Sequence, residues 1–454
     1  MANELKSDAI KREIFYIVSA LIVGFLFTFA KLGNDDIVFN KQIGYTVREC
    51  WHWSAAQYDK WSSRVIINFS LALLIRGKKL GAFMYFSVSM YVLIKALSML
   101  WSDLAERTDT VIIIATAMMF PWKILTTAGW MATSTSCFGP VAFGLLSLVP
   151  IKKACNGEKI TWWEIILYSG SVIYATNAEQ TCAAVFLLYL IAIICLSVKK
   201  KNKWYTWLFL TFTVISLIFI LTCPGNAVRT RMETFNWFPA YNVLDIADKL
   251  DIGVTTTLDW LFSGSCVLVI SMCLLMTVLV FRKYKNACFR IISVFPTATV
   301  ILIGPLKNII FKVFPDAARV YEGIDFYGSF TATSQGTGIG PLRFFVFLLI
   351  CVCLCIDLIL LSNTVQELIT NLSLTLVAMG TRVVMGFSPT VHASLTRTFA
   401  ITVVCLMAVQ LHIYLTNKEL LSDRKSRICV HAVMCAVIVL SYIDLAFLTV
   451  TTFK

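Results

Sequence analysis

The chain has 454 residues, 58% of them hydrophobic and 14% charged, with a mean hydropathy of +0.78 and a net charge of +13. A soluble protein of this length has no use for so much apolar side chain, so the composition specifies an integral membrane protein. Its apolar segments are continuous rather than alternating. That excludes a β-barrel and leaves an all-α bundle, because each span must satisfy its own backbone hydrogen bonds. The cations sit in short clusters between apolar runs, as in cytoplasmic loops beside anionic lipid; the implied partner is the bilayer, not nucleic acid.

Lys6, Lys11 and Arg12 precede an apolar run at 14–30. The N-terminus is therefore expected in the cytoplasm and the first span exits outward. The first extracytoplasmic loop, 33–63, opens with Asp35 and Asp36 and carries Trp51, Trp53, Tyr58 and Trp61. Those aromatics suit a helix from about residue 45 lying at headgroup level. Residues 65–75 read as an inward span stopped by Arg76, Lys78 and Lys79, and 80–101 as its return. The acidic loop 102–110 then falls outside.

Residues 111–149 are too long for one span and short for two. With Lys152 and Lys153 expected inside, the crossings must be odd. The reading is one full span plus a half-helix broken near Pro121, a candidate cavity wall. After a span at 162–176, Asn177, Glu179 and Gln180 form a polar knot at the outer mouth. Residues 182–198 return to Lys199, Lys200 and Lys201, and 204–223 lead out to Pro224-Gly225-Asn226, read as a turn. That turn opens a second large loop, 224–253. Further spans follow at 254–281 and 291–311, then a loop at 312–342, Gly- and Ser-rich in part and expected to be mobile. The last spans are 344–361, 368–387, 399–415 and 428–450. The total is about 11–13 spans in a single transmembrane domain, 1–454. Under this alternation the basic clusters share one side, while Arg229, Arg231 and Arg397 lie outside against the rule.

One face thus collects Asp35, Asp36, Arg64, Asn177, Glu179, Gln180, Asn226, Arg229, Arg231, His392 and Arg397. Glu179 and Gln180 interrupt apolar sequence with almost no loop to solvate them, which marks them as functional candidates. Outside a bacterial cell, sugars are delivered on polyprenyl phosphate carriers. Their transfer needs a base for the acceptor hydroxyl and cations for the departing lipid phosphate. Arg grips phosphate bidentately. The four His are scattered, which argues against a His-based metal site. A divalent ion shared by Asp35 or Asp36 and Glu179 fits the ligand types but has no spacing motif behind it; no other cofactor is indicated.

The early carboxylate pair followed by a headgroup-level segment resembles the GT-C class of membrane glycosyltransferases. Asn177-Ala-Glu179-Gln180, Pro224-Gly225-Asn226-Ala-Val-Arg229 and the run from Ser388 through His392 to Arg397 resemble segments of a Gram-positive bacterial GT-C-like family. That family is related in outline to serotype-converting glucosyltransferases. The resemblance implies a GT-C-like outer-face catalytic loop, a polyprenyl-phosphate sugar donor and a surface polysaccharide or glycolipid acceptor. By that analogy Asp35 or Asp36 is the base, with Asp36 taken first, and Glu179 belongs to the catalytic set. Arg64, Asn177, Gln180, Asn226, Arg229, Arg231, His392 and Arg397 then bind substrate at the outer face of the cell membrane. A lipid-linked oligosaccharide flippase and a polysaccharide polymerase or ligase are the competing functions. A flippase should carry ionisable residues near the midplane of both halves of a repeat.

Overall fold

In the computed structural model, residues 2–316, 327–331 and 339–453 are described. Most of the loop expected to be mobile, 312–342, lies outside them. The described residues are helical, with no strand. Among the described residues eight helices are long and apolar enough to cross a membrane, or up to ten when each of two bent pairs counts as one span. The chain is a multi-pass membrane protein. It divides into two compact units, one of Met1–Met232, Ser394–Cys405 and Cys429–Lys454, the other of Glu233–Ala393 and Leu406–Ile428.

The first unit starts with helix α1 (Ala2–Phe27), a short helix α2 (Asp35–Gln42), helix α3 (Val47–Lys60) and helix α4 (Val65–Leu100). Thr46 and Glu49 form a reciprocal capping box at the start of α3, which satisfies two otherwise orphaned amides. Helix α4 is broken at Lys78, whose backbone is non-helical at φ 49° and ψ −133°. At the break the chain doubles back so tightly that a Cβ on Gly81 would lie 2.6 Å from the carbonyl oxygen of Leu74.

This break corrects the expected topology. Arg76 donates to the carbonyl oxygen of Gly44 at 2.9 Å and to Asn40 Oδ1 at 2.9 Å and its carbonyl oxygen at 2.8 Å. Its guanidinium closes the C-terminal end of α2, where free carbonyls attract a cation. The 65–77 segment therefore begins and ends beside the first loop. Its apolar part, 65–75, is about 16 Å long, half of what a crossing needs. Arg76, Lys78 and Lys79 are thus not a stop on the opposite side, and the basic clusters do not all share one face.

The rest of α4 runs back along α1. Phe27 stacks on Phe86, Gly24 lets the helices meet at Ser87, and Lys95 binds Glu13 at 2.6 Å. Small residues permit such close approach between spans. Asp103 then pairs with Lys152 at 2.7 Å and accepts from Asn156 at 2.9 Å. The acidic loop 102–110 therefore shares a face with Lys152, not the opposite one. Between them the chain crosses twice. The helix Thr110–Met118 and a 3₁₀ turn, Trp122–Thr126, lead to the first-loop face, and the apolar helix Trp130–Cys155 returns. The expected break near Pro121 is there, but the crossings are even. Val141, Gly144 and Leu145 of this region do line a void, with Thr181, Ala184 and Ile401, of about 30 Å³. It is apolar and far smaller than a ligand pocket.

Within the first unit the next contacts separate two faces. Asn177 reaches Ser63 and Ile67, and Thr222 meets Tyr58 at 3.2 Å, all on the first-loop face. Lys201 donates to the Cys155 carbonyl oxygen at 3.0 Å on the other. All fifteen cysteines are free. The second unit holds the helices Ile246–Ser263, Val267–Lys283, Ala287–Ile303, Ile339–Leu361 and Val365–Val383.

Gly77 and Gly157 have open space around them, which makes them the sites for an inserted epitope tag. Tags after Tyr45 and Gly77 should react with a membrane-impermeant antibody from one side, and a tag after Gly157 from the other. Finding Gly77 and Gly157 on one side would overturn the arrangement.

Candidate functional site

The centre of the first-loop face is Glu179, the first residue of the helix Glu179–Val198. Arg64 binds its Oε2 through Nε at 2.6 Å and Nη2 at 2.5 Å, and Arg229 Nη1 lies 3.4 Å from its Oε1. The three side chains are 31%, 21% and 28% exposed in the order Arg64, Glu179, Arg229. Two guanidiniums on one carboxylate leave a net positive, partly open site, the arrangement that attracts an anion such as phosphate.

Three local devices hold it. Asn177, buried, accepts from the Ile67 amide at 3.1 Å and donates to the Ser63 carbonyl oxygen at 3.3 Å. It caps the start of α4 from another helix and so fixes Arg64 beside Glu179. Pro224 begins a 14-residue helix, Pro224–Trp237, which replaces the expected turn; a first-position Pro forfeits no hydrogen bond. The next residue, Gly225, touches the end of α3. A Cβ there would lie 2.6 Å from both the Tyr58 carbonyl oxygen and the Trp61 nitrogen. That docking sets Arg229, one turn later, onto Glu179. Beneath the cluster, Tyr85 donates to the Ser134 carbonyl oxygen at 3.1 Å and shares a hydrogen bond of 3.1 Å with Tyr174. Ser134–Phe138 is a π-helical turn, and Cys137 lies within it. Pro140, lacking an amide hydrogen, leaves a carbonyl in the preceding turn without its helical partner, which suits such a bulge.

The carboxylate pair splits. Asp36 is 0% exposed and accepts from the amides of Ala132 at 2.8 Å and Met131 at 3.2 Å. It caps the Trp130–Cys155 helix, and Gly129, at φ 106°, leaves the room: a Cβ there would meet the Asp36 carboxyl at 2.6 Å. Burial pushes Asp36 up to about 6, with the Ala132 and Met131 amides opposing. The preference for Asp36 as base is therefore corrected, since both its oxygens are engaged out of solvent. Asp35 is exposed. The wall beside it raises its carboxyl above the ordinary range, and the Arg397 guanidinium draws it back.

Other expected ligands fall elsewhere. Asn226 donates to the Ile220 carbonyl oxygen at 2.9 Å and closes the preceding helix. Arg231 is exposed and donates to Ala227 of its own helix at 3.4 Å. Two residues beyond Arg229, it faces away from Glu179. Gln180 is half-buried in the first turn after Glu179. His392 belongs to the second unit, where its ring meets Phe238 edge-on at 5.6 Å. Arg397 Nη2 lies 3.5 Å from Ser394 Oγ. Among the described residues no three His, Cys, Asp or Glu side chains converge on a metal position. Glu179 is committed to arginines, which removes it as a partner for an ion at Asp35. Sequence reasoning missed Tyr85, Tyr174 and Cys137. The one signal was Gly139-Pro140 inside an apolar run.

No family model, curated protein or solved structure matches this chain.

Between pH about 4 and about 6 the folded chain keeps a proton on Asp36 that the unfolded chain has released. Its contribution to stability therefore falls as pH rises through that window, by roughly 3 kcal/mol. Thermal unfolding of the purified protein should show this slope reduced in Asp36→Asn. Equal slopes in both proteins would remove the burial argument. Gly225→Ala should lower the stability of the purified protein by about 1–3 kcal/mol, because its Cβ would collide with the end of α3; an unchanged thermal transition would remove the docking argument.

Proposed function

We propose that this protein transfers a sugar from a polyprenyl-phosphate donor to a surface glycan or glycolipid at the first-loop face. The reading rests on one observation above the others: Arg64 and Arg229 share the single carboxylate of Glu179 at the membrane boundary. A departing lipid phosphate develops negative charge, and a preorganised guanidinium stabilises it without reorganisation cost. Arg229, held at 3.4 Å against 2.5 Å for Arg64, is the looser of the two and the one that turns to phosphate. Glu179 orients the pair and keeps it from being a naked double charge in apolar surroundings.

Asp35 is the base in this scheme. It is exposed, its charge is balanced by Arg397 rather than by the Glu179 arginines, and a raised carboxyl pKa improves its fit to proton abstraction near neutral pH. Arg397 sits to hold the donor phosphate against it. Asp36 keeps the loop in place and takes no proton from substrate. A flippase for the same lipid-linked saccharide would use the arginines equally well but would have no need of Asp35.

The test is transfer from a polyprenyl-phosphate sugar by the purified protein in nanodiscs. Asp35→Asn should lower turnover by roughly 10²-fold or more. Arg229→Lys should cost about tenfold or more in turnover, since a point charge replaces a fork. Normal turnover in a folded Asp35→Asn protein would sink the assignment, and retained translocation without any transfer would move the protein to the flippase class.

A further inference from the structure

The second unit buries a carboxylate that no part of the transferase reading uses. Asp357, four residues before the end of Ile339–Leu361, is 1% exposed. Its Oδ2 accepts from Ser293 Oγ at 3.0 Å, and its Oδ1 is buried without a partner. Among the described residues it makes no ion pair. The titratable groups that feel its charge are the thiols of Cys273 and Cys353. Neither supplies a positive charge.

From Ser293 the hydroxyls continue. Thr277 Oγ1 lies 3.4 Å from Ser293 Oγ and donates to the Ser293 carbonyl oxygen at 2.7 Å. Thr297 Oγ1 is 2.8 Å from Thr277 Oγ1. Ser293 and Thr297 are one turn apart on Ala287–Ile303, which contains Pro296. Proline lacks an amide hydrogen, so the carbonyl four residues earlier, Ile292, loses its helical partner. Irregular backbone of this kind within a span is stable only where it is buried or serves a polar site. Thr277 stands six residues, about 9 Å, from the basic end of Val267–Lys283. The arrangement is one carboxylate, three hydroxyls and a loosened helix on three packed spans.

A lone carboxylate in such surroundings must carry a proton or a counter-cation, because an isolated buried charge costs far more than the fold can supply. One negative charge among oxygen ligands matches a monovalent ion rather than a divalent one. We propose that Asp357, Ser293, Thr277 and Thr297 form an intramembrane site for a single monovalent cation, a proton or Na⁺. The free Oδ1 receives it, and the hydroxyls relay or ligate it. The proposal is independent of the transferase reading.

The test uses the full-length protein in nanodiscs, wild type beside Asp357→Asn, Asp36→Asn and Thr277→Val. With a proton as occupant, the wild type shows a protonated-carboxyl C=O stretch in the infrared that shifts in D₂O and fades as pH rises. Asp36 contributes a band of its own; the component assigned to Asp357 is the one that Asp36→Asn keeps and Asp357→Asn loses. With Na⁺ as occupant, replacing choline by Na⁺ at constant ionic strength raises the unfolding temperature of the wild type by a few degrees. Asp357→Asn then shows no such rise, and Thr277→Val binds Na⁺ about tenfold more weakly. A wild type with neither the Asp357 component of the band nor a Na⁺ response overturns the site. So does an Asp357→Asn protein whose carboxyl band and Na⁺ response both equal those of the wild type. If Asp357→Asn does not fold, Thr277→Val decides: an unchanged titration midpoint and Na⁺ response there overturn the proposal as well.

Discussion

Glu179 held between Arg64 and Arg229 is the contact on which the first-loop face depends. The two arginines come from positions 115 and 50 residues away in the chain. Each arrives by a different local device. Arg64 is fixed by the cap that Asn177 places on the start of α4, and Arg229 by the approach of Gly225 to the end of α3. Remove the carboxylate and two partly buried cations face each other with nothing between them, at a cost of several kcal/mol. Keep it and one positive charge is left over at the membrane boundary. The same three side chains thus set the local stability and the net positive charge of this face.

The membrane class, most span positions and Glu179 were legible in the sequence, because apolar length and an ionisable residue inside apolar sequence are direct physical signals. What each polar residue does was less legible. Asn177, Asn226 and Asp36 stand out as polar residues at the edges of apolar runs, yet each satisfies orphaned backbone groups at a helix end. A capping residue and a ligand-binding residue leave the same mark when both are polar at the edge of a span. Only the partner atoms distinguish them. Tyr85 and Tyr174 went unnoticed for the opposite reason: inside a span a tyrosine counts as apolar, and its hydroxyl is invisible to hydropathy.

The topology carries a related lesson about parity. Treating 65–75 as a span placed Arg76, Lys78, Lys79 and the acidic loop 102–110 on the wrong faces. An odd number of crossings at 111–149 then restored the alternation for Asn177, Lys201 and Thr222 of the first unit. Two errors of one crossing each cancel, and agreement downstream cannot expose them. The decisive quantity was length, since eleven residues reach about 16 Å. A cluster of cations after a short apolar stretch is not evidence of a crossing when those cations have carbonyl oxygens to bind, as Arg76 does at the end of α2.

The carboxylates within or beside spans can be ordered by what meets their charge. Glu179 has two guanidiniums, Asp36 has two amides, and Asp357 has one hydroxyl. The charges of the first two are met by the bonds they make. A charge on Asp357 is not met in that way. A serine or asparagine there would give the same link to Ser293 without burying an acid, so stability alone supplies no reason for a carboxyl group. The acid needs something that a neutral side chain cannot hold, and a positive charge that comes and goes is the simplest thing of that kind.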